Sequence, residues 1–237
     1  MDVFGEKWED HAERVAQDWD ARVGPGDWVL LPGDLSWAMR LPEAEVDLRW
    51  LGKRPGLKLL IRGNHDYWWQ SYRKVRQALP ENTVAIQNNC HLSPDGRVAV
   101  GGTRLWVVPG LAFRDALDIE RDAAPSDAPE RQGAEVDNEK LFSREIGRLR
   151  LSLESMPDGT HIRIAMLHFP PVGPDFKPTP VTRLLEEHGV DYCVFGHLHN
   201  LREGVSLDAE MNGVRYRLVS GDYLNFQLAE ILALPGD

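Results

Sequence analysis

Long hydrophobic runs are missing from this chain of 237 residues. Its apolar stretches, such as 28–31 and 190–195, fall far short of the roughly 20 residues a spanning helix needs. The opening Met1-Asp2-Val3-Phe4-Gly5-Glu6 lacks the basic start and apolar centre of a signal peptide. Cysteine is scarce as well. Cys90 and Cys193 stand too far apart for a disulfide framework or a zinc knuckle, and a reducing, cytoplasmic setting is expected. There is no basic excess: 27 Lys and Arg face 37 Asp and Glu, a net charge of −10. That balance argues against a protein that grips nucleic-acid backbone, and no membrane partner is expected either. A small phosphate-bearing substrate stays open, because bound divalent cations invert the local field. No feature of the sequence speaks to oligomeric state.

What is present is ordinary globular composition, 42% hydrophobic and 27% charged, at a length that suits one α/β domain spanning 1–237. Trp8, Ala12, Val15, Trp19 and Val23 recur at helical spacing up to the Gly24-Pro25-Gly26 stop. Further helices are expected over 42–51, 67–79, from Phe142 to Met156, and between Thr179-Pro180 and Gly189. Strands are expected at 28–31, 57–61, 83–86, 98–100, 105–108, 162–167 and 190–195, with β-structure in the tail 216–234. Segment 110–137 has no periodicity and reads as a long solvated loop.

Four short apolar runs (28–31, 57–61, 162–167 and 190–195) each end within three residues of a good metal ligand. Such runs alternating with helices suggest strands buried on both faces, and sites on such sheets lie beyond the carboxyl ends. Asp34, Asn64, His168 and the pair His197 and His199 are therefore expected to converge. Gly33-Asp34 alone reads as a turn, and His168 alone as a core or loop histidine. Gly196-His197-Leu198-His199 is sharper, since imidazoles at i and i+2 of extended chain share one side.

Gly33-Asp34, Gly63-Asn64-His65-Asp66, His168 and Gly196-His197-Leu198-His199 together resemble four of the five blocks of the calcineurin-like metallophosphoesterases. The resemblance implies a four-layer α/β/β/α sandwich and two divalent metal ions, with Mn, Fe, Zn or Ni suited to these donors. It implies that Asp34 bridges the metals, that Asn64, His168 and His197 complete one site, and that His199 serves the other. It implies further that His65 meets the substrate phosphate as proton donor, its ring oriented by Asp66. The implied reaction is hydrolysis of a phosphomonoester or phosphodiester by a metal-activated water. The family's first strand, ending in Asp-x-His, has no counterpart before Asp34, so the first strand and two ligands of one metal are expected to be missing. The alternative is a catalytically impaired or non-enzymatic remnant that binds metal or phosphate. A metallo-β-lactamase-like site would need His-x-His-x-Asp-His, which does not occur. Arg104 is open to two readings, a contact to substrate phosphate or a structural arginine; Trp68 and Trp69 read mainly as core.

Overall fold

The computed structural model describes residues 5–118 and 134–234. Two sheets and five α-helices make up the described part. In the smaller sheet β1 (Trp28–Leu31), β2 (Leu57–Leu60) and β3 (Thr83–Ala85) run parallel in that order. The larger sheet holds β4 (Cys90–Leu92), β5 (Val98–Thr103), β6 (Ile162–Leu167), β7 (Tyr192–Phe195), β8 (Ala209–Met211) and β9 (Val214–Leu218). Its order is β4-β5-β6-β7-β9-β8, parallel at the centre and antiparallel at both edges.

Burial explains why these runs are so apolar. Leu59, Ile61 and Ile86 pack with Val98, Val100, Ile164, Met166 and Val194, so one face of each sheet is buried against the other. The opposite face of the smaller sheet is covered by α1 (His11–Arg22), α2 (Leu41–Gly52) and α3 (Tyr72–Ala78), through Trp19, Ala44, Leu48, Leu51 and Val75. α4 (Ala134–Glu154) and α5 (Pro180–Glu187) bring Leu149, Leu153, Val181 and Leu184 onto the larger sheet. Strands covered on both faces need apolar side chains at successive positions, hence the continuous runs.

β1 departs from that pattern, since only Val29 of its four residues is fully buried. β2 occupies one of its edges, and a cavity of about 1140 Å³ follows the strand on its way to Asp34. Trp28 to Leu31, Val15 and Trp19 line it on one side and 227–234 on the other.

Several expectations need correction. Residues 67–71 are not helical; α3 starts at Tyr72 behind a Ser71 cap, and Trp68 and Trp69 before it are both core. Residues 105–108 form no strand, because Leu105 takes a left-handed conformation (φ 62°) immediately after β5. The tail from 219 to 234 forms no strand either; its β-structure stops with β9 at Leu218. The loop expected over 110–137 is cut at its end, where α4 begins at Ala134, and its part 119–133 lies outside the described residues. Trp8 sits in a short 3-10 turn, Glu6–Trp8, ahead of α1 and not in it.

Candidate metal centre

β1, β2, β6 and β7 deliver their following loops to one place. Leu167 is level with Phe195 across the larger sheet, so His168 and Gly196-His197 leave it together. Leu31 is level with Leu60 in the smaller sheet, which sets Pro32-Gly33-Asp34 beside Gly63-Asn64. The two loops of the smaller sheet touch only because both carry glycine. A Cβ on Gly33 (φ 95°) would lie 2.6 Å from Gly63 Cα, and one on Gly63 would overlap Asp34 Oδ1.

Asp66 ties these loops together. Its buried carboxylate accepts the backbone N–H groups of Gly63 (2.7 Å), Asp34 (2.8 Å) and Ser36 (3.1 Å), and the indole N–H of Trp68 (3.0 Å). Burial and the neighbouring Asp34 charge push its pKa up, while the four donors favour the ionised form. All its acceptor capacity being spent on these donors, Asp66 does not orient the His65 ring as expected. That ring stacks on Trp37 (centroids 4.6 Å apart, 25° between planes), and its Nδ1 meets the Tyr67 hydroxyl at 3.1 Å.

At the centre stands the side-chain oxygen of Asn64. His168 Nε2 lies 2.6 Å from it and His197 Nδ1 3.0 Å, while Asp34 Oδ2 is 3.3 Å from His168 Nε2. The other nitrogen of His168 faces the Pro32 carbonyl at 2.8 Å. A carbonyl only accepts, so Nδ1 carries a proton; Nε2 either donates to the Asn64 oxygen or, in a neutral ring, presents a lone pair. That lone pair points at another acceptor, the Asn64 oxygen, with a carboxylate oxygen beyond. Acceptors facing acceptors at this range require a proton or a cation among them, and the donor set of carboxylate, amide oxygen and two imidazoles suits a borderline divalent metal. A backbone carbonyl fixing the far nitrogen of a ligand histidine is the usual arrangement around such ions.

Electrostatics and backbone agree with that reading. Burial and the nearby His168 push the His197 pKa down to about 3, so its imidazole is neutral and open to a metal. Burial raises the Asp34 carboxyl, but the His168 contact and the His65 N–H outweigh it and hold the group below its ordinary range. Asp34 (φ 58°) and His197 (φ 71°) both occupy left-handed backbone without being glycine, a strain that concentrates at working sites. No group of three or more His, Cys, Asp or Glu side chains among the described residues is spaced to hold a metal.

His199 stands apart from that cluster. Its Nδ1 bonds the buried Asp222 carboxylate at 2.7 Å, which leaves Nε2 as the nitrogen not engaged by Asp222, and Trp8 packs edge-on against the ring. Burial raises the Asp222 pKa, but His199 and the Asn200 N–H bring it below normal. Sequence reasoning placed Asp222 in the β-structure of the tail and gave it no role. Asp222 lies four residues past the end of β9, one beyond the reach of the rule that found the other residues, and level with His199, four past the end of β7. Tyr67 and Trp37 carried no signal of their own in the sequence.

The profile described as calcineurin-like phosphoesterase matches residues 6–201. The chain belongs to that family. Two curated relatives are the Gene 66 proteins of Mycobacterium phages D29 and L5. The first is 42% identical over 64 residues, 27% of this chain and 32% of the phage protein. The second is 41% identical over 58 residues, 24% of this chain and 28% of the relative. The matched part thus spans about a third of those proteins' length. As a calcineurin-like phosphoesterase, the chain falls in a class of hydrolases that use divalent metals. No helix among its described residues is long and apolar enough to cross a membrane.

Proposed function

We propose that this phosphoesterase hydrolyses a small phosphomonoester or phosphodiester, with Asp34, Asn64, His168 and His197 holding a divalent cation and His65 acting on the substrate. The observation that carries the reading is the convergence of Asp34, His168 and His197 on the Asn64 oxygen, with His168 Nε2 2.6 Å and His197 Nδ1 3.0 Å from it. Bound metal would supply positive charge for the phosphoryl oxygens and lower the pKa of an attacking water. Asp34 would share its carboxylate between two ions, and His199, steadied by Asp222, would serve the second. His65 would donate a proton from Nε2 to the departing oxygen, because Tyr67 engages its Nδ1 and Trp37 fixes its plane. Mn, Fe, Zn and Ni all suit this oxygen and nitrogen set.

One feature of the structure favours a second reading, a protein that binds metal or phosphate with little turnover. A second cation would find only His199 and a share of Asp34 among the described residues, and both line the cavity along β1. Turnover of an aryl phosphate and an aryl phosphodiester with added Mn²⁺ separates the readings. Hydrolysis that disappears with a chelator and with Asp34→Asn supports the enzyme. Stoichiometric metal without turnover of either ester supports the binding protein.

A further inference from the structure

Beside the metal centre lies a group of arginines that the proposed reaction does not use. β5 ends at Thr103, level with Leu167, and the Arg104 carbonyl accepts the Phe169 N–H at 3.0 Å. Arg104 therefore leaves the sheet flush with His168. Its guanidinium sits 4.7 Å over the Trp106 ring, Trp106 packs on Phe169, and Phe169 lies 4.0 Å from the His197 ring. Arg62 reaches the same edge from the smaller sheet, between the end of β2 and Asn64.

Among the described residues the charges around Arg104 do not balance. Glu145, fully buried on α4, is the carboxylate shared by Arg148 (2.7 Å), Arg144 (3.5 Å) and Arg104 (3.6 Å), and its other oxygen accepts from the Thr103 hydroxyl. The positive charges of Arg62, Arg144 and Arg148 all bear on Arg104. Among the described residues three guanidinium groups thus share one carboxylate, and a fourth, Arg62, stands near enough for its charge to bear on Arg104. The Arg62 Nε is buried without a hydrogen-bond partner among the described residues. A buried guanidinium donor left unpaired is costly, and an arrangement of forked donors short of acceptors matches the oxygens of a phosphoryl group.

We infer that Arg62 and Arg104, backed by Arg144 and Arg148, form an anion subsite that holds a second phosphoryl group of the substrate. The ligand would be a molecule with one phosphoester at the metal centre and another phosphoryl group displaced toward the carboxyl end of β5. This assignment rests on the proposed function for the identity of its substrate, and on the arginines alone for anion binding. Glu145 would keep the guanidinium groups apart and aligned while leaving their outer donors for the ligand.

The test is calorimetric titration of the metal-free full chain with inorganic pyrophosphate, orthophosphate and malonate, for the native sequence and for Arg62→Gln and Arg104→Gln. One pyrophosphate per chain is expected, bound about 10-fold or more tightly than orthophosphate or malonate, and weakened about 10-fold or more by either substitution. Arg104→Gln also removes a Glu145 contact and is read only with an unchanged melting temperature; Arg62→Gln breaks no such pair and decides the matter by itself. Equal pyrophosphate affinity in Arg62→Gln and native chain, or no binding to either, would overturn the proposal. Malonate bound as tightly as pyrophosphate would overturn it in favour of a dicarboxylate site. Because metal is absent, pyrophosphate binding tests the subsite alone, and turnover of the aryl esters with added Mn²⁺ tests the proposed function alone.

Discussion

Asp66→Asn should damage this protein more than its distance from any metal ligand role suggests. The carboxylate accepts four donors, two on each oxygen: Asp34 and Gly63 N–H on Oδ2, Ser36 N–H and Trp68 Nε1–H on Oδ1. Whichever way the asparagine amide turns, its NH₂ faces two of them. Each donor left buried and unsatisfied costs about 1–3 kcal/mol, so about 2–6 kcal/mol of stability is at risk. For a chain of this size each kcal/mol moves the melting temperature by about 2–4 °C, which predicts a fall on the order of 5–20 °C. The two loops held by Asp66 carry Asp34 and Asn64, so metal affinity should fall with stability. Thermal melts followed by circular dichroism and elemental analysis of metal read both effects. An Asp66→Asn protein that melts within about 2 °C of the native chain and keeps its metal would show that the carboxylate does not organise the centre.

Other outcomes follow from the same geometry. His65→Ala should lower kcat by roughly 10²–10⁴-fold with metal content unchanged, and Tyr67→Phe should lower it less while leaving KM alone; loss of metal in either variant would reassign His65. Acidification should weaken the metal-free fold between pH 6.5 and about 3, the ordinary and folded pKa values of His197. In that window the unfolded chain takes up a proton that the folded one refuses, so the stability present above the window drains away as pH falls. A His197→Gln variant should lose most of that slope, and an unchanged pH profile of melting would refute the assignment. A strand ending in Asp-x-His, joined ahead of Met1 by a flexible linker, should enter the cavity along β1 and raise both bound metal and melting temperature. If neither rises, that cavity does not accept a strand.

Much of the centre was legible in the sequence because it obeys a positional rule. Leu31, Leu60, Leu167 and Phe195 end their strands at one edge, and a polar residue just past each has little reason to exist except a ligand. Asp34, Asn64, His168 and His197 fall there. The supporting residues were hidden for a physical reason. Asp66 works through backbone amides of other loops, Tyr67 through a hydroxyl two residues from its partner, and Asp222 across 23 positions of chain. Nothing in local spacing records such contacts. Helix 67–79 was overestimated because Tyr67, Trp68 and Trp69 are apolar for tertiary reasons: the two tryptophans fill core under the Asp66 knot. The stretch 105–108 misled in the same way, as Leu105 and Val108 are core residues on irregular backbone.

Equilibrium dialysis against Mn²⁺ with elemental analysis measures directly whether a cation seats at the Asn64 oxygen. The native chain should retain about one Mn²⁺ per molecule, and Asn64→Ala, which deletes the acceptor that both His168 and His197 approach, should lose it by 10-fold or more in affinity at an unchanged fold. Asn64→Ala that holds Mn²⁺ as tightly as the native chain, or a native chain that holds none, would contradict the metal centre described here.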